Sequence, residues 1–163
     1  MVSLESLEGV LELRNEAERM RADRVLSPEQ VAALDFEAVL RFWQSDVGRR
    51  IRSQAAHVHR EVPFTARFSP ADLADLKLSA GLNLPADEFF VVQGAVDLAV
   101  ILSEEIWILD FKTDQLSPGE LPERVAGYAP QIKVYGLALN RIYRRPVKEL
   151  WLHFLSFGET VEV

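Results

Sequence analysis

The apolar positions change period along the chain, and those changes divide it into elements. Residues 4 to 24 interleave Leu and Val with Glu and Arg and read as a solvated helix. Ser27-Pro28-Glu29-Gln30 is a helix start, with Ser as the N-cap, Pro at the first helical position and Gln at the capping-box position. From there Val31, Leu34, Phe36, Val39, Leu40, Phe42 and Trp43 recur at near-helical spacing, and a second helix is predicted to end near Arg52 or Ser53. His57 to Phe64 alternates like a strand, with Pro63 near its end or on an edge. Residues 69 to 88 hold acidic and Leu residues without a readable period and read as a linker.

Two strands follow, Phe89 to Leu102 and Ile106 to Lys112, separated by Ser103-Glu104-Glu105. A helix is predicted over Glu123 to Tyr143, with Pro130 kinking or restarting it. Val147 to Phe157 is another strand and Thr160 to Val163 a short edge strand. A strand–helix–strand passage beside an antiparallel hairpin predicts an α/β (α+β) fold, a mixed sheet with helices on its faces. The expected division is a helical extension over residues 1–27 and a single domain over 28–163.

Composition narrows the chemistry. With 163 residues, 48% hydrophobic and 26% charged, the chain is long enough for one core and is ordinary for a folded protein. It has no cysteine, which removes disulfides, thiolate zinc sites, iron–sulfur clusters and cysteine nucleophiles. No apolar run approaches the ~20 residues of a membrane helix, and the acidic, amphipathic N-terminus is unlike a signal peptide, so the expected location is the cytoplasm without membrane partners. The net charge of −7, from 25 acidic and 18 basic residues, argues against autonomous tight DNA binding. It does not oppose a site that gathers carboxylates for a metal. Basic residues cluster at Arg49, Arg50, Arg52 and Arg60, and again at Arg141, Arg144, Arg145 and Lys148. Each cluster is a candidate phosphate contact, and a solvated helix end is the plainer reading.

The informative residues lie on the hairpin. Asp110 and Lys112 are two apart on a strand and share a face, while Trp107, Leu109 and Phe111 point to the other. If a two-residue loop closes the hairpin at Ser103-Glu104, Asp97 lies opposite Asp110, with Cβ atoms about 4.5–5.5 Å apart. If the loop is Glu104-Glu105, Asp97 lies opposite Lys112. Two carboxylates that close repel each other, and a divalent cation removes the conflict. Hard oxygen ligands select Mg²⁺ or Mn²⁺. The plainer alternative is a hairpin with polar residues on a solvent face, although both aspartates interrupt strongly apolar runs at Val96-Asp97-Leu98 and Leu109-Asp110-Phe111.

Four motifs then occur in order: Arg-Glu-Val-Pro-Phe at 60–64, Val-Gln-Gly-Ala-Val-Asp-Leu at 92–98, Leu-Asp-Phe-Lys-Thr-Asp at 109–114 and Tyr-Ala-Pro-Gln-Ile-Lys-Val-Tyr at 128–135. Over about residues 30 to 163 this run resembles the C-terminal nuclease domain of AddA, in the RecB-type branch of the PD-(D/E)XK nucleases. The resemblance implies a restriction-endonuclease-like core of order αβββαβ. It implies Asp97 and Asp110 as Mg²⁺ ligands, the Phe111 carbonyl as a third protein oxygen, and Lys112 as the catalytic lysine. Gln131 and Tyr135 match the Gln-x-x-x-Tyr motif and share a helix face. Glu61 matches the Arg-Glu-x-Pro-Phe element, with structural support and catalysis equally open.

The implied activity is Mg²⁺-dependent hydrolysis of DNA, with single-stranded ends as substrate, in double-strand break repair and recombination. The implied partners are a helicase motor, in the same parent protein or separate, and a second nuclease subunit of AddB type. Two departures qualify this. The family's Gly-x-x-x-His helix has no counterpart, since no histidine precedes His57, and His57 and His59 read as exposed strand residues and His153 as structural. There is also no Gly-x-x-x-x-Gly-Lys-Ser/Thr loop, hence no recognisable ATP site. The competing expectation is therefore a truncated or weakly active nuclease-fold fragment that docks on a partner subunit or a helicase. A third reading, a restriction endonuclease, is disfavoured by the Gln-x-x-x-Tyr helix.

Overall fold

A computed structural model describes residues 9–76, 85, 88–117 and 119–163. Residues 4–8 of the expected first helix, and 77–84 with 86–87 of the expected linker, lie outside the described residues. Contacts group the chain into two compact units, Met1–Ala56 and His57–Val163.

The first unit is helical. α1 spans Val10–Ala22 and buries only Ala17, as a solvated helix should. Ser27 opens α2 (Pro28–Ala33): its hydroxyl accepts from Gln30 N at 3.2 Å while Gln30 Oε1 accepts from Ser27 N at 2.7 Å. The spacing that predicted a helical run to Arg52 or Ser53 is interrupted twice, giving α3 (Phe36–Gln44) and α4 (Asp46–Arg52). The interruptions are caps: Asp35 accepts from Ala38 N at 2.9 Å and Ser45 from Gly48 N at 3.1 Å. Apolar periodicity survives a tight helix–helix corner, so it hides one. The corner also needs Gly48, because a Cβ there would lie 2.0 Å from the Phe42 carbonyl oxygen.

The second unit is a five-stranded mixed sheet in the order β1-β2-β3-β4-β5. β1 (Val58–Phe68) is an edge strand, which tolerates Pro63 because its missing N–H need not enter a ladder. α5 (Pro70–Asp75) follows, inside the stretch read as a linker. β2 (Phe90–Ile101) and β3 (Ile106–Lys112) form the antiparallel hairpin, with Leu102 N donating to Glu105 O at 2.9 Å across Ser103-Glu104. Of the two loops the sequence left open, the structure takes this one. α6 (Leu121–Tyr143) crosses over to β4 (Val147–Phe154), which runs parallel to β3, and β5 (Glu159–Glu162) closes antiparallel on β4. Pro130 lies inside a continuous α6 and does not restart it. Arg144, at φ 54°, ends the helix, and Arg145 then donates to the Leu102 carbonyl at 2.6 Å, tying the crossover to the hairpin tip.

The sheet face under α6 holds the core of this unit: Phe64, Phe68, Val96, Ile106, Ile108, Leu152 and Phe154 meet Ile132, Ala138 and Leu139 of the helix. The other face also buries Leu98, Val100, Trp107, Leu109 and Trp151. β3 is thus covered on both sides, which explains why Ile-Trp-Ile-Leu is a continuous apolar run.

These packings can be tested by unfolding. Gly48→Ala should cost about 2–3 kcal/mol in urea unfolding, as forced overpacking does. The Arg141 guanidinium, which bonds both Asp72 and the Arg67 carbonyl, holds the Asp72 carboxyl down at about 2. Its stabilisation is present above the ordinary carboxyl pKa of about 3.9 and is lost as pH falls through the folded value. The stability advantage of the wild type over Asp72→Asn should therefore shrink below about pH 4 and vanish near pH 2.

Candidate active site

The β2–β3 ladder runs from Ile101–Ile106 to Leu98–Leu109 and stops one residue short of Asp97. Beyond that point β2 stays with β1, where Val96 pairs with Val62. β2 and β3 thus diverge at Asp97, and its carboxylate bridges the opening. Asp97 Oδ2 accepts from Phe111 N at 2.8 Å, the first backbone donor past the end of the ladder. On the far side of β3 the Lys112 carbonyl accepts from Leu155 N at 2.9 Å. Carbonyls alternate along a strand, so that of Phe111 points towards β2 and the same opening.

Asp110, 4% exposed, stands beside it on the α6 face of β3. Burial raises its pKa, the nearby charge of Asp97 adds to the rise, and Lys112 opposes it. Lys112 Nζ lies 2.6 Å from Asp110 Oδ2, an ion-pair contact outside hydrogen-bond geometry, and that oxygen has no hydrogen-bond partner. The sequence pattern points to repulsion between the two aspartates; burial is the larger cause.

α6 supplies the opposite wall. Lys112 Nζ donates to Gln131 Oε1 at 2.9 Å, and Gln131 Nε2 donates to the Tyr135 hydroxyl oxygen at 3.0 Å. An ammonium can only donate, so Lys112 fixes which end of the Gln131 amide faces it. Tyr135 consequently accepts, and its own proton remains free to donate into the opening. Burial raises the Tyr135 pKa, and the charges of Asp110 and Asp97 raise it further, so one hydroxyl senses both carboxylates. Gly94 makes room for Phe64, which packs on this ring: a Cβ there would lie 3.0 Å from the Phe64 ring. Phe64 and Tyr135 meet edge to face at 5.3 Å.

Two residues were given no role from sequence. Tyr128 lies under Lys112, with Nζ 4.1 Å from the ring centroid. The Tyr128 hydroxyl donates to Asp114 at 2.9 and 3.1 Å to the two carboxylate oxygens. The signal for Tyr128 is in the spacing, because 128, 131 and 135 fall on one helical face.

The sequence that builds this site is similar to those of known proteins. The chain matches the PD-(D/E)XK nuclease superfamily over residues 4–161. It belongs to that superfamily. It is 34% identical, over 99% of its length, to an ATP-dependent helicase/nuclease subunit of Moorella thermoacetica, and it covers 11% of that protein. The proteins of the same description from Clostridium acetobutylicum and Carboxydothermus hydrogenoformans are 31% and 32% identical over 95% and 93% of the chain. The chain spans about a ninth of the length of these relatives.

PD-(D/E)XK nucleases generally use divalent metals, and the donor set here fits one. A buried carboxylate oxygen held against the Lys112 ammonium, a second carboxylate and a backbone carbonyl lie at the end of the β2–β3 ladder, all of them hard oxygens. Two carboxylates with waters and substrate phosphate are a usual Mg²⁺ shell. Among the described residues there is no group of three His, Cys, Asp or Glu able to hold a metal. His57 and His59 are exposed, and His153 is buried with Nδ1 2.8 Å from Thr160 Oγ1. Glu61 faces outward but sits opposite Asp97 by count, at the one position where the β1–β2 ladder skips a pair, and its φ is 48°. Such strain in a non-glycine residue is tolerated where the surroundings impose it. The arginine clusters have partners inside the protein: Arg49 binds Asp46 at 2.6 Å, and Arg141 and Arg145 hold backbone carbonyls.

A raised carboxyl pKa means that the folded state binds its proton more tightly than the unfolded chain. Stability from this group therefore rises as pH falls through the raised value. Asp110→Asn should increase the urea midpoint at pH 7, and the gain should close as pH drops towards the ordinary carboxyl range.

Proposed function

We propose that this nuclease-superfamily chain is a Mg²⁺-dependent deoxyribonuclease domain, with Mn²⁺ as a competent substitute. The observation that supports it most is Asp110: a carboxylate buried directly after four apolar residues of β3, with Asp97 across the opening and Lys112 against it. Asp97, Asp110 and the Phe111 carbonyl are the proposed ligands. A divalent cation there supplies Lewis-acid polarisation of a phosphoryl oxygen and a more acidic water at neutral pH. Lys112 presents its ammonium beside Asp110, where it offsets negative charge developing on the phosphate. Gln131 holds Lys112 Nζ, and the Tyr135 hydroxyl donates towards the phosphate or the attacking water. Hydrolysis leaves, by family analogy, a 5′-phosphate.

The helicase/nuclease subunits it resembles support a wider setting. In that setting a motor of AddA/RecB type, in the same parent protein or a partner, delivers single-stranded ends during double-strand break repair and recombination. A second nuclease subunit of AddB type completes the machine, in the cytoplasm. Among the described residues no helix is long and apolar enough to cross a membrane.

A second reading rests on a specific observation. Among the described residues no third His, Cys, Asp or Glu joins the aspartate pair. On that reading the fold is a weak or inactive module that docks on a helicase. Single-stranded DNA incubated with Mg²⁺ separates the two. We expect cleavage that Asp110→Ala lowers by at least about 10³-fold and Lys112→Ala by about 10²–10³-fold. Equal cleavage by Asp110→Ala would falsify the catalytic assignment. Absence of Mn²⁺ binding by calorimetry at millimolar concentration favours the docking module.

A further inference from the structure

We propose that Tyr128, held by Asp114, is a positioning residue for the active-site lysine: its ring is the shelf that keeps the Lys112 ammonium beside Asp110. The inference rests on the reading of Lys112 given above.

A lysine is a point charge on a flexible four-carbon stem, and two polar contacts leave it free to swing. Lys112 has Asp110 Oδ2 at 2.6 Å and Gln131 Oε1 at 2.9 Å. The Tyr128 ring closes a third direction, with its centroid 4.1 Å from Nζ, inside the range of a cation–π contact. Lys112 is shielded as well, at 12% side-chain exposure, and such contacts strengthen when desolvated.

The ring is itself fixed. The Tyr128 hydroxyl donates to Asp114, and the ring packs 6.3 Å from Phe154 on β4. The loop carrying Asp114 is pinned in turn, because Ser156 Oγ donates to the Asp114 carbonyl. Donation to a carboxylate also pushes electron density into the phenol and makes the ring face a better cation partner. Asp114 therefore acts through Tyr128. It is not among the groups facing the metal opening.

The arrangement differs from simple packing in what it predicts. An aromatic face is required at 128 and a hydroxyl is not. The chain has four lysines, Lys77, Lys112, Lys133 and Lys148, so the ε-CH₂ and ammonium signals of Lys112 can be resolved by NMR on isotopically labelled full chain. In the wild type the Lys112 ε-CH₂ protons should be shifted upfield by the ring and the ammonium should be ordered. Tyr128→Leu should remove the upfield shift and loosen the ammonium. It should lower kcat for single-stranded DNA between about twofold and thirtyfold, the range a cation–π contact supports. KM should change less than about twofold, because the phosphate contacts stay. Tyr128→Phe should restore the shift and most of kcat, and Asp114→Asn should fall between. An unshifted, mobile Lys112 in the wild type would overturn the proposal. So would Tyr128→Leu with unchanged kcat, a loss confined to KM, or Tyr128→Phe as damaging as Tyr128→Leu. If the wild type does not cleave DNA at all, the functional reading fails, while the NMR arm still decides whether Tyr128 orders Lys112.

Discussion

The second unit is arranged around a carboxylate kept out of water. Asp110 occupies β3, the central strand, directly after four buried apolar residues, and folding gains nothing from a charge there. An acid in such a place is retained when it is used. Lys112 and an opening shared with Asp97 provide the local compensation. Because the two aspartates lie on neighbouring antiparallel strands, hairpin register brings them to the same level of the sheet, just past the end of the ladder. A one-residue slip would send one of them to the far side of the sheet.

The divergence of β2 from β3 is the second constraint. Had the ladder continued past Leu98–Leu109, backbone bonds would have occupied Phe111 N and its carbonyl, and no opening would exist. Instead Asp97 takes the amide, and the carbonyl is left facing the opening. The same level of the sheet shows a skipped β1–β2 pair at Glu61, with its left-handed backbone. Two neighbouring ladders, β1–β2 and β2–β3, are therefore interrupted at one height. α6 completes the wall, and Gly94 leaves space for the Phe64 ring that meets its Tyr135 edge to face.

Much of this is legible in the sequence. Strand alternation places Asp110 with Lys112, and a two-residue loop places Asp97 across from Asp110. The Ser27 capping box and β3 from Ile106 to Lys112 also match the sequence pattern residue for residue. What escapes it is of two physical kinds. Corners made by caps, as at Asp35 and Ser45, keep the apolar period of a single helix and so are invisible to it. Contacts between distant elements, such as Tyr128 with Asp114 and Lys112, depend on how α6 lies over the sheet. β1 differs: Val62, Phe64, Ala66 and Phe68 keep a period-2 alternation to the end of the strand, so its extension is carried by the sequence itself.

The opening between β2 and β3 is the proposed hard-cation site. Anomalous diffraction from crystals soaked in millimolar Mn²⁺ tests it most directly. One strong peak is expected within about 2.0–2.4 Å of carboxylate oxygens of both Asp97 and Asp110 and of the Phe111 carbonyl. An empty opening at that concentration, or a peak held by His57 and His59 instead, would contradict it.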